Sequence, residues 1–308
     1  MRRACLDAIL DLARRDPRVV FVGSDLGSGT MDRFREEFPD RFFMEGVSEA
    51  HLVGMASGLA MNGMIPYLNT IAVFLTRRCL EQVLLDAALH RLPVRLVGNG
   101  GGLVYAPLGP THIAFEDLAL MRAIPGMTAV APCDAEEMRR AVAASLDHPG
   151  PMYIRIAKGG EPVVSRPERG FAIGRAIRVA DGEDALLVTT GVMLQPALEA
   201  RDLLAAAGVG AAVLHVHTVK PLDAAAVLAA TSRVRAVLTV EEHSLVGGLG
   251  SAVAELLAEA GPENRPRFRR LALPDAFPSQ YGSQARILDS CGLSAAGIAA
   301  AVRELLGR

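Results

Sequence analysis

Short apolar runs rich in β-branched residues alternate with Ala/Leu-rich stretches of helical period along almost all of the 308 residues. This alternation constrains the fold more than any other feature. A continuous apolar strand is buried on both faces, and a helix between two such strands supplies the crossover that makes them parallel. The predicted strands of the first half are residues 19–22, 66–69, 94–97, 128–131 and 153–156, with one more ending near Met44. Predicted helices cover 3–14, 31–37, 49–62, 75–90, 115–122 and 135–145. The pattern then lapses in two polar segments, Lys158-Gly159-Gly160-Glu161-Pro162 and Arg166-Pro167-Glu168-Arg169, which read as a linker. A second series follows, with strands 185–189, 211–215 and 236–240 and helices 194–207, 223–230, 249–260 and 294–306. The expected fold class is α/β: two domains, each a mostly parallel sheet with helices on both faces, over 1–165 and 176–308, joined by a linker at 166–175.

Bulk properties narrow the function classes. Hydrophobic residues at 51% against 21% charged exclude a disordered chain, and a net charge of −2 gives no electrostatic reason to expect nucleic acid or an anionic membrane as partner. Met1-Arg2-Arg3-Ala4-Cys5 runs straight into an amphipathic pattern with no apolar signal core, and no apolar run reaches the roughly 20 residues of a membrane span. Cys5, Cys79, Cys133 and Cys291 lie far apart with no Cys-x-x-Cys pair, so the sequence indicates neither a disulfide framework nor a zinc site. The expected location is the cytoplasm.

Three segments carry candidate chemistry. In Gly46-Val47-Ser48-Glu49-Ala50-His51, a helix begins near Glu49 and continues through small residues, with Gly54 and Gly58 suggesting a close backbone approach. Taken alone, Glu49 reads first as a carboxylate favoured by the dipole of its helix. Phe74 follows a strand and opens a helix at the carboxyl edge of the sheet, where open α/β sheets bind ligands. Alone it is a core aromatic; at that edge it can also stack on a flat heterocycle. The third segment holds Gly98-Asn99-Gly100-Gly101-Gly102, then Gly109-Pro110-Thr111-His112 and Glu116-Asp117. The glycines permit close ligand approach, without the spacing of a dinucleotide fingerprint. His112 sits in a Gly/Pro loop rather than on an apolar helix face, so it reads equally as a functional or an incidental histidine.

In order and together, these segments resemble the transketolase family, from about residue 18 to 306: its pyrimidine-binding domain followed by its C-terminal domain. Gly46 to His51 resembles the catalytic-glutamate motif. Gly109-Pro110-Thr111-His112 resembles the Gly-x-Thr-His-Gln loop, and Glu242-His243 with Gly247-Gly248-Leu249-Gly250-Ser251 the C-terminal signature. The resemblance implies thiamine diphosphate with Mg²⁺. Glu49 would hydrogen-bond a ring nitrogen of the aminopyrimidine and so activate the cofactor for its own carbanion chemistry. Phe74 would stack on that ring, with Ile71, Arg77 and Asp25 on the cofactor side. His112 would meet substrate oxygens. Leu108 stands where the family usually has an acid, and Ile113 where it has glutamine. Lys158, with Arg155 nearby, stands for a phosphate-binding arginine. These departures imply an altered or less polar acceptor.

The family's Gly-Asp-Gly metal and diphosphate motif does not occur. The resemblance therefore implies a separate N-terminal-type partner subunit that holds the diphosphate and metal, in a heterodimer or α₂β₂ assembly with self-association of this chain. The expected reaction is transfer of a two-carbon ketol unit from a ketose or 2-oxo donor to an aldehyde. A β-subunit of a 2-oxoacid dehydrogenase, a deoxyxylulose-phosphate-synthase-like condensing enzyme and a non-catalytic scaffold are the alternatives.

Overall fold

A computed structural model describes residues 1–24, 29–261, 266–278 and 281–308. The first half runs α1 (Arg2–Arg15), β1 (Val19–Gly23), α2 (Asp32–Glu37), β2 (Phe42–Met44), α3 (Glu49–Met61), β3 (Ile65–Ile71), α4 (Ala72–Thr76), α5 (Leu80–Gln82), β4 (Arg95–Asn99), α6 (Asp117–Ala123), β5 (Thr128–Val130), α7 (Ala135–Ser145) and β6 (Met152–Ile156). The second half runs β7 (Ile177–Ala180), β8 (Ala185–Thr189), α8 (Leu194–Ala206), β9 (Ala211–His215), β10 (Thr218–Lys220), α9 (Ala224–Thr231), β11 (Ala236–Ser244), α10 (Leu249–Glu259), β12 (Arg267–Leu273), α11 (Gln284–Ser290) and α12 (Ala295–Leu306).

The elements begin and end where side-chain chemistry dictates. Asp134 caps α7 by accepting from the amides of Glu136 and Glu137, and Ser294 caps α12 through the Gly297 amide. Strands β1, β4 and β6 are buried along their whole length, as apolar runs between two helical layers must be. The first sheet has the order β10-β5-β6-β4-β3-β1-β2 and the second β12-β11-β8-β9-β7. Both are parallel except at one edge each, where β10 pairs antiparallel with β5 and β7 with β9.

The sheet edges are where the sequence pattern misleads. β7, β10 and β12 are absent from the predicted series. β12 reads Arg-Phe-Arg-Arg-Leu-Ala-Leu, and an edge strand needs no apolar run because one side of it faces solvent. β10 is three residues long and comes from the second half to finish the first sheet, with Thr218 opposite Val130. The helix expected over 75–90 is divided into α4, α5 and a π-helical stretch, Val83–Ala88, in which the Leu89 amide reaches back five residues to the Leu84 carbonyl. The break falls at Cys79, whose ψ of 14° is not helical.

Residues 284–306 have the length and mean hydropathy of a membrane span, although Arg286, Asp289, Arg303 and Glu304 interrupt the apolar run. They form two helices, of 7 and 12 residues, separated by a turn. Neither helix is long enough to cross a bilayer, which takes about 20 residues, and α12 packs on α8 and β11.

One buried cluster joins the halves: Leu68, Leu96 and Ala129 pack in it with Leu186, Val188, Leu214 and Val237. Burying this shared apolar surface is the main force holding the two sheets together.

Candidate active site at the carboxyl edge of the first sheet

From β1 the chain moves to β2 on one side, then returns to β3 on the other. Strand order reverses between β1 and β3, and such a switch point leaves a crevice at the carboxyl ends of the two strands. Ser24, just past β1, and Thr70, near the end of β3, join hydroxyls there at 2.6 Å. Of the sequence-predicted residues, Glu49, Ile71, Phe74 and His112 are the ones gathered around it.

Glu49 is the first residue of α3 and is only 2% exposed. The turn before it depends on Gly46, at φ 71°, and on Ser48, whose hydroxyl donates to the Glu45 carbonyl at 3.1 Å. The free amides of the first helical turn favour an anion at this position. Across the crevice, Ile71 ends β3, and half-buried Phe74 lies in α4, one turn further. Ile71 and Phe74 pack on a small apolar cluster of Ala72, Val73 and Ala114. The His112 ring meets Phe74 edge-on, with centroids 5.3 Å apart, and His112 Nδ1 shares a hydrogen bond with the Thr111 hydroxyl at 2.9 Å.

Arg78, which the sequence reading did not single out, ties the group together. Its Nη1 donates to Glu49 Oε2 at 2.6 Å, and its guanidinium carbon lies 4.5 Å from the Phe74 ring centroid. Glu49, Arg78, Phe74 and His112 thus form one continuous set of contacts. A second arginine in an Arg-Arg pair carries no local signal; only the turn after α4 brings it over the ring.

Other expected residues lie elsewhere. Arg77 pairs with Glu116 and donates to the carbonyls of Pro110 at 3.3 Å and Ile113 at 2.9 Å. Its guanidinium fixes the His112 loop, so these contacts give no support to the expected cofactor contact. Arg155 is 7% exposed; its Nε donates to Asp117 at 2.9 Å and its Nη2 to the carbonyls of Ala114 and Glu242. Those bonds hold the two halves together and give no support to the expected substrate contact. Leu108 and Lys158, both exposed, line a cavity of about 260 Å³ with Asn99, Gly100 and Tyr105. Asp25 lies outside the described residues. The fully buried side chain of Ile113 packs in the core of the second half with Leu103, Ala106, Leu187 and Met193.

The glycines also act differently from expectation. A Cβ on Gly101 would lie 2.3 Å from Arg155 Nε, and one on Gly102 2.5 Å from the Glu242 carboxyl carbon. They admit the protein's own side chains rather than a ligand. Gly58 meets nothing within 4 Å, and Gly54 only Asp86 at 3.9 Å, so among the described residues no backbone closely approaches α3 there. Glu242 accepts from the Leu103 amide at 2.8 Å and from Gln284 at 2.7 Å, and burial pushes its carboxyl above the usual range despite the opposing Arg155 charge. Fully buried His243 accepts from the Ala119 amide at 3.2 Å. The Glu-His signature is therefore a joint between the two halves.

An α/β enzyme with its ligand at the carboxyl ends of parallel strands is the class that this fold and crevice define. The chain belongs to the transketolase family: residues 1–161 match the model of the transketolase pyrimidine binding domain, and residues 174–298 that of the transketolase C-terminal domain. Among its relatives is the 6-deoxy-6-sulfo-D-fructose transketolase subunit SqwH of Clostridium sp. (strain MSTE9), 38% identical over all of this chain and 95% of that protein. An apulose-4-phosphate transketolase subunit of Phocaeicola vulgatus is 36% identical, over 96% of this chain and 94% of that protein. A solved structure described as a split gene transketolase, inactive beta4 tetramer, matches with a TM-score of 0.90 and 36% identity, over 99% of this chain and 97% of that one. The chain also spans 47% of 1-deoxy-D-xylulose-5-phosphate synthase 1 of Geobacter sulfurreducens, at 39% identity.

Membership implies thiamine diphosphate. The crevice fits the aminopyrimidine half of that molecule: a buried carboxylate to accept from a ring N–H, an aromatic face and an apolar side chain beside it. The described residues offer Mg²⁺ little. Among the described residues, the three-member group with metal-ligand geometry is Cys133, Glu137 and His215. All three are buried, and they mix sulfur and nitrogen with a single carboxylate, whereas Mg²⁺ prefers oxygen ligands and keeps several waters.

Proposed function

We propose that this chain is the cofactor-activating half of a two-component transketolase, joined by an N-terminal-type subunit that holds the diphosphate and Mg²⁺ at a shared interface, in an α₂β₂ assembly. Bound at the crevice, the cofactor supplies an electron sink for cleaving the bond beside a ketose or 2-oxo carbonyl. The residues of this chain do the rest. Glu49 would accept a hydrogen bond from the ring nitrogen and hold the proton there. Phe74 and Ile71 fix the ring plane. His112 donates to substrate oxygens, in an orientation set by Thr111 and by the Arg77 brace. Leu108 and Lys158 offer an apolar wall and one ammonium, a pairing suited to a substrate with an anionic end. The outward face of α3, with exposed His51, Gly58 and Met61, suits self-association.

The burial of Glu49 at a sheet switch point, in one contact set with Phe74 and His112, carries this reading. The test is ketol transfer from a ketose to an aldehyde by the reconstituted pair. Glu49→Gln is expected to lower kcat by about 10² or more, the scale of proton-transfer catalysis. Equal rates would remove Glu49 from the reaction. The similarity to deoxyxylulose-phosphate synthase supports a second reading, and release of CO₂ from a 2-oxo acid donor in the same assay would favour it.

A further inference from the structure

We infer that Arg78 fills the place of the aminopyrimidine in the cofactor-free chain and must leave for the ring to enter. The inference rests on the reading that Glu49 and Phe74 hold that ring. Two contacts define a seat for a flat, N–H-bearing heterocycle here: a hydrogen bond into the Glu49 carboxylate and a stacking surface on Phe74. Arg78 makes both. Its guanidinium is planar and delocalised, donates to Glu49 Oε2 at 2.6 Å and sits over the Phe74 ring at 4.5 Å. A carboxylate oxygen and an aromatic face at those distances leave no layer for a second planar group.

The two ends of the contact differ in freedom. Glu49 is 2% exposed and fixed on the first turn of α3, whereas the Arg78 side chain is 48% exposed and lies between α4 and α5, where the helix is broken at Cys79. Arg78 can swing into solvent by rotamer changes alone; Glu49 cannot follow it. A buried carboxylate stripped of its partner is strongly unfavourable. Arg78 therefore keeps Glu49 paired until the ring takes over the same oxygen. The chain alone is held in a self-occupied state, and cofactor affinity is reduced by the fraction of molecules in which the seat is open.

The test is calorimetric titration of thiamine diphosphate, at saturating Mg²⁺, into the chain reconstituted with its partner subunit. Near-UV circular dichroism of the bound aminopyrimidine serves as a second readout. If Arg78 fills the seat about nine-tenths of the time, Arg78→Ala binds the cofactor about tenfold more tightly. Arg78→Lys, which keeps the charge but loses the flat face, falls between Arg78→Ala and the unaltered protein. Arg78→Gln repeats the measurement with an amide left to partner Glu49, should the alanine variant fold poorly. Arg78→Ala also lowers the unfolding temperature of the cofactor-free chain more than that of the loaded pair. Unchanged or weaker cofactor binding in both Arg78→Ala and Arg78→Gln overturns the inference. Glu49→Gln separates the two layers. If it leaves binding and dichroism unchanged, the assignment of the ring site fails and the inference with it. If Glu49→Gln loses both while Arg78→Ala gains nothing, only the role of Arg78 fails.

Discussion

Replacing Arg155 with methionine tests whether this arginine faces substrate or holds the molecule together. The side chains of Arg155 and Asp117 are 7% and 0% exposed, and they are linked at 2.9 Å. Asp117 Oδ2 also accepts from the Tyr153 hydroxyl at 2.7 Å, while Oδ1 has no hydrogen-bond partner among the described residues. Methionine fills much of the arginine volume and removes the charge. Asp117 is then left buried with one neutral donor, a change worth about 3–5 kcal/mol for a broken buried pair. The carbonyls of Ala114 and Glu242 lose a donor as well, adding about 1 kcal/mol each where no water replaces it. A combined loss of about 5–7 kcal/mol is a large share of the 5–15 kcal/mol typical of a folded chain. Urea unfolding of the purified chain reads this directly. Adding Asp117→Leu removes the stranded charge, so the double variant is expected to be more stable than Arg155→Met alone by about 2 kcal/mol. A loss below about 1 kcal/mol, together with a raised KM for a phosphorylated substrate, would refute the reasoning and return Arg155 to the substrate site.

Arg77→Ala removes the donors that hold the carbonyls of Pro110 and Ile113. It is expected to lower kcat of the assembled enzyme by about 10–10²-fold through displacement of His112, with faster amide exchange over residues 109–113; unchanged exchange would sink the idea. His217 is fully buried, and burial lowers its pKa from 6.5 to about 4. The unfolded chain therefore takes up the proton first. Stability is complete above pH 6.5 and falls between pH 6.5 and pH 4 by about 3 kcal/mol, at 1.36 kcal/mol per unit. His217→Gln should flatten the melting temperature across that window, and an unaltered acid profile would show that other groups govern it.

The sequence made the central strands and most helices legible because burial on both faces forces an apolar run. It made the crevice legible through the order of its motifs, with Glu49, Phe74 and His112 brought together in one contact set. What stayed hidden was set by contacts distant in sequence. Arg155 looks like a substrate cation until Asp117 and Glu242 are seen around it. The Cys133–Glu137–His215 group escaped notice because 78 residues separate its last two members. There burial alone would raise the Glu137 carboxyl, yet the His215 charge and hydrogen bond, with the His217 charge and the Cys133 amide, together outweigh it and bring Glu137 down to about 2. Arg78 carries no signal in the sequence because its neighbours are chosen by a helix break that local propensity does not announce.

Strand β10 gives the first sheet a border that its own half does not encode. Truncation after the linker would strip Thr218–Lys220 from β5 and leave Thr128–Val130 with open amides and carbonyls along one flank. Such a margin is a template for pairing with other molecules, so an N-terminal fragment is expected to clump rather than behave as a free module. Shuffling either half between relatives would have to carry this splice across the cut.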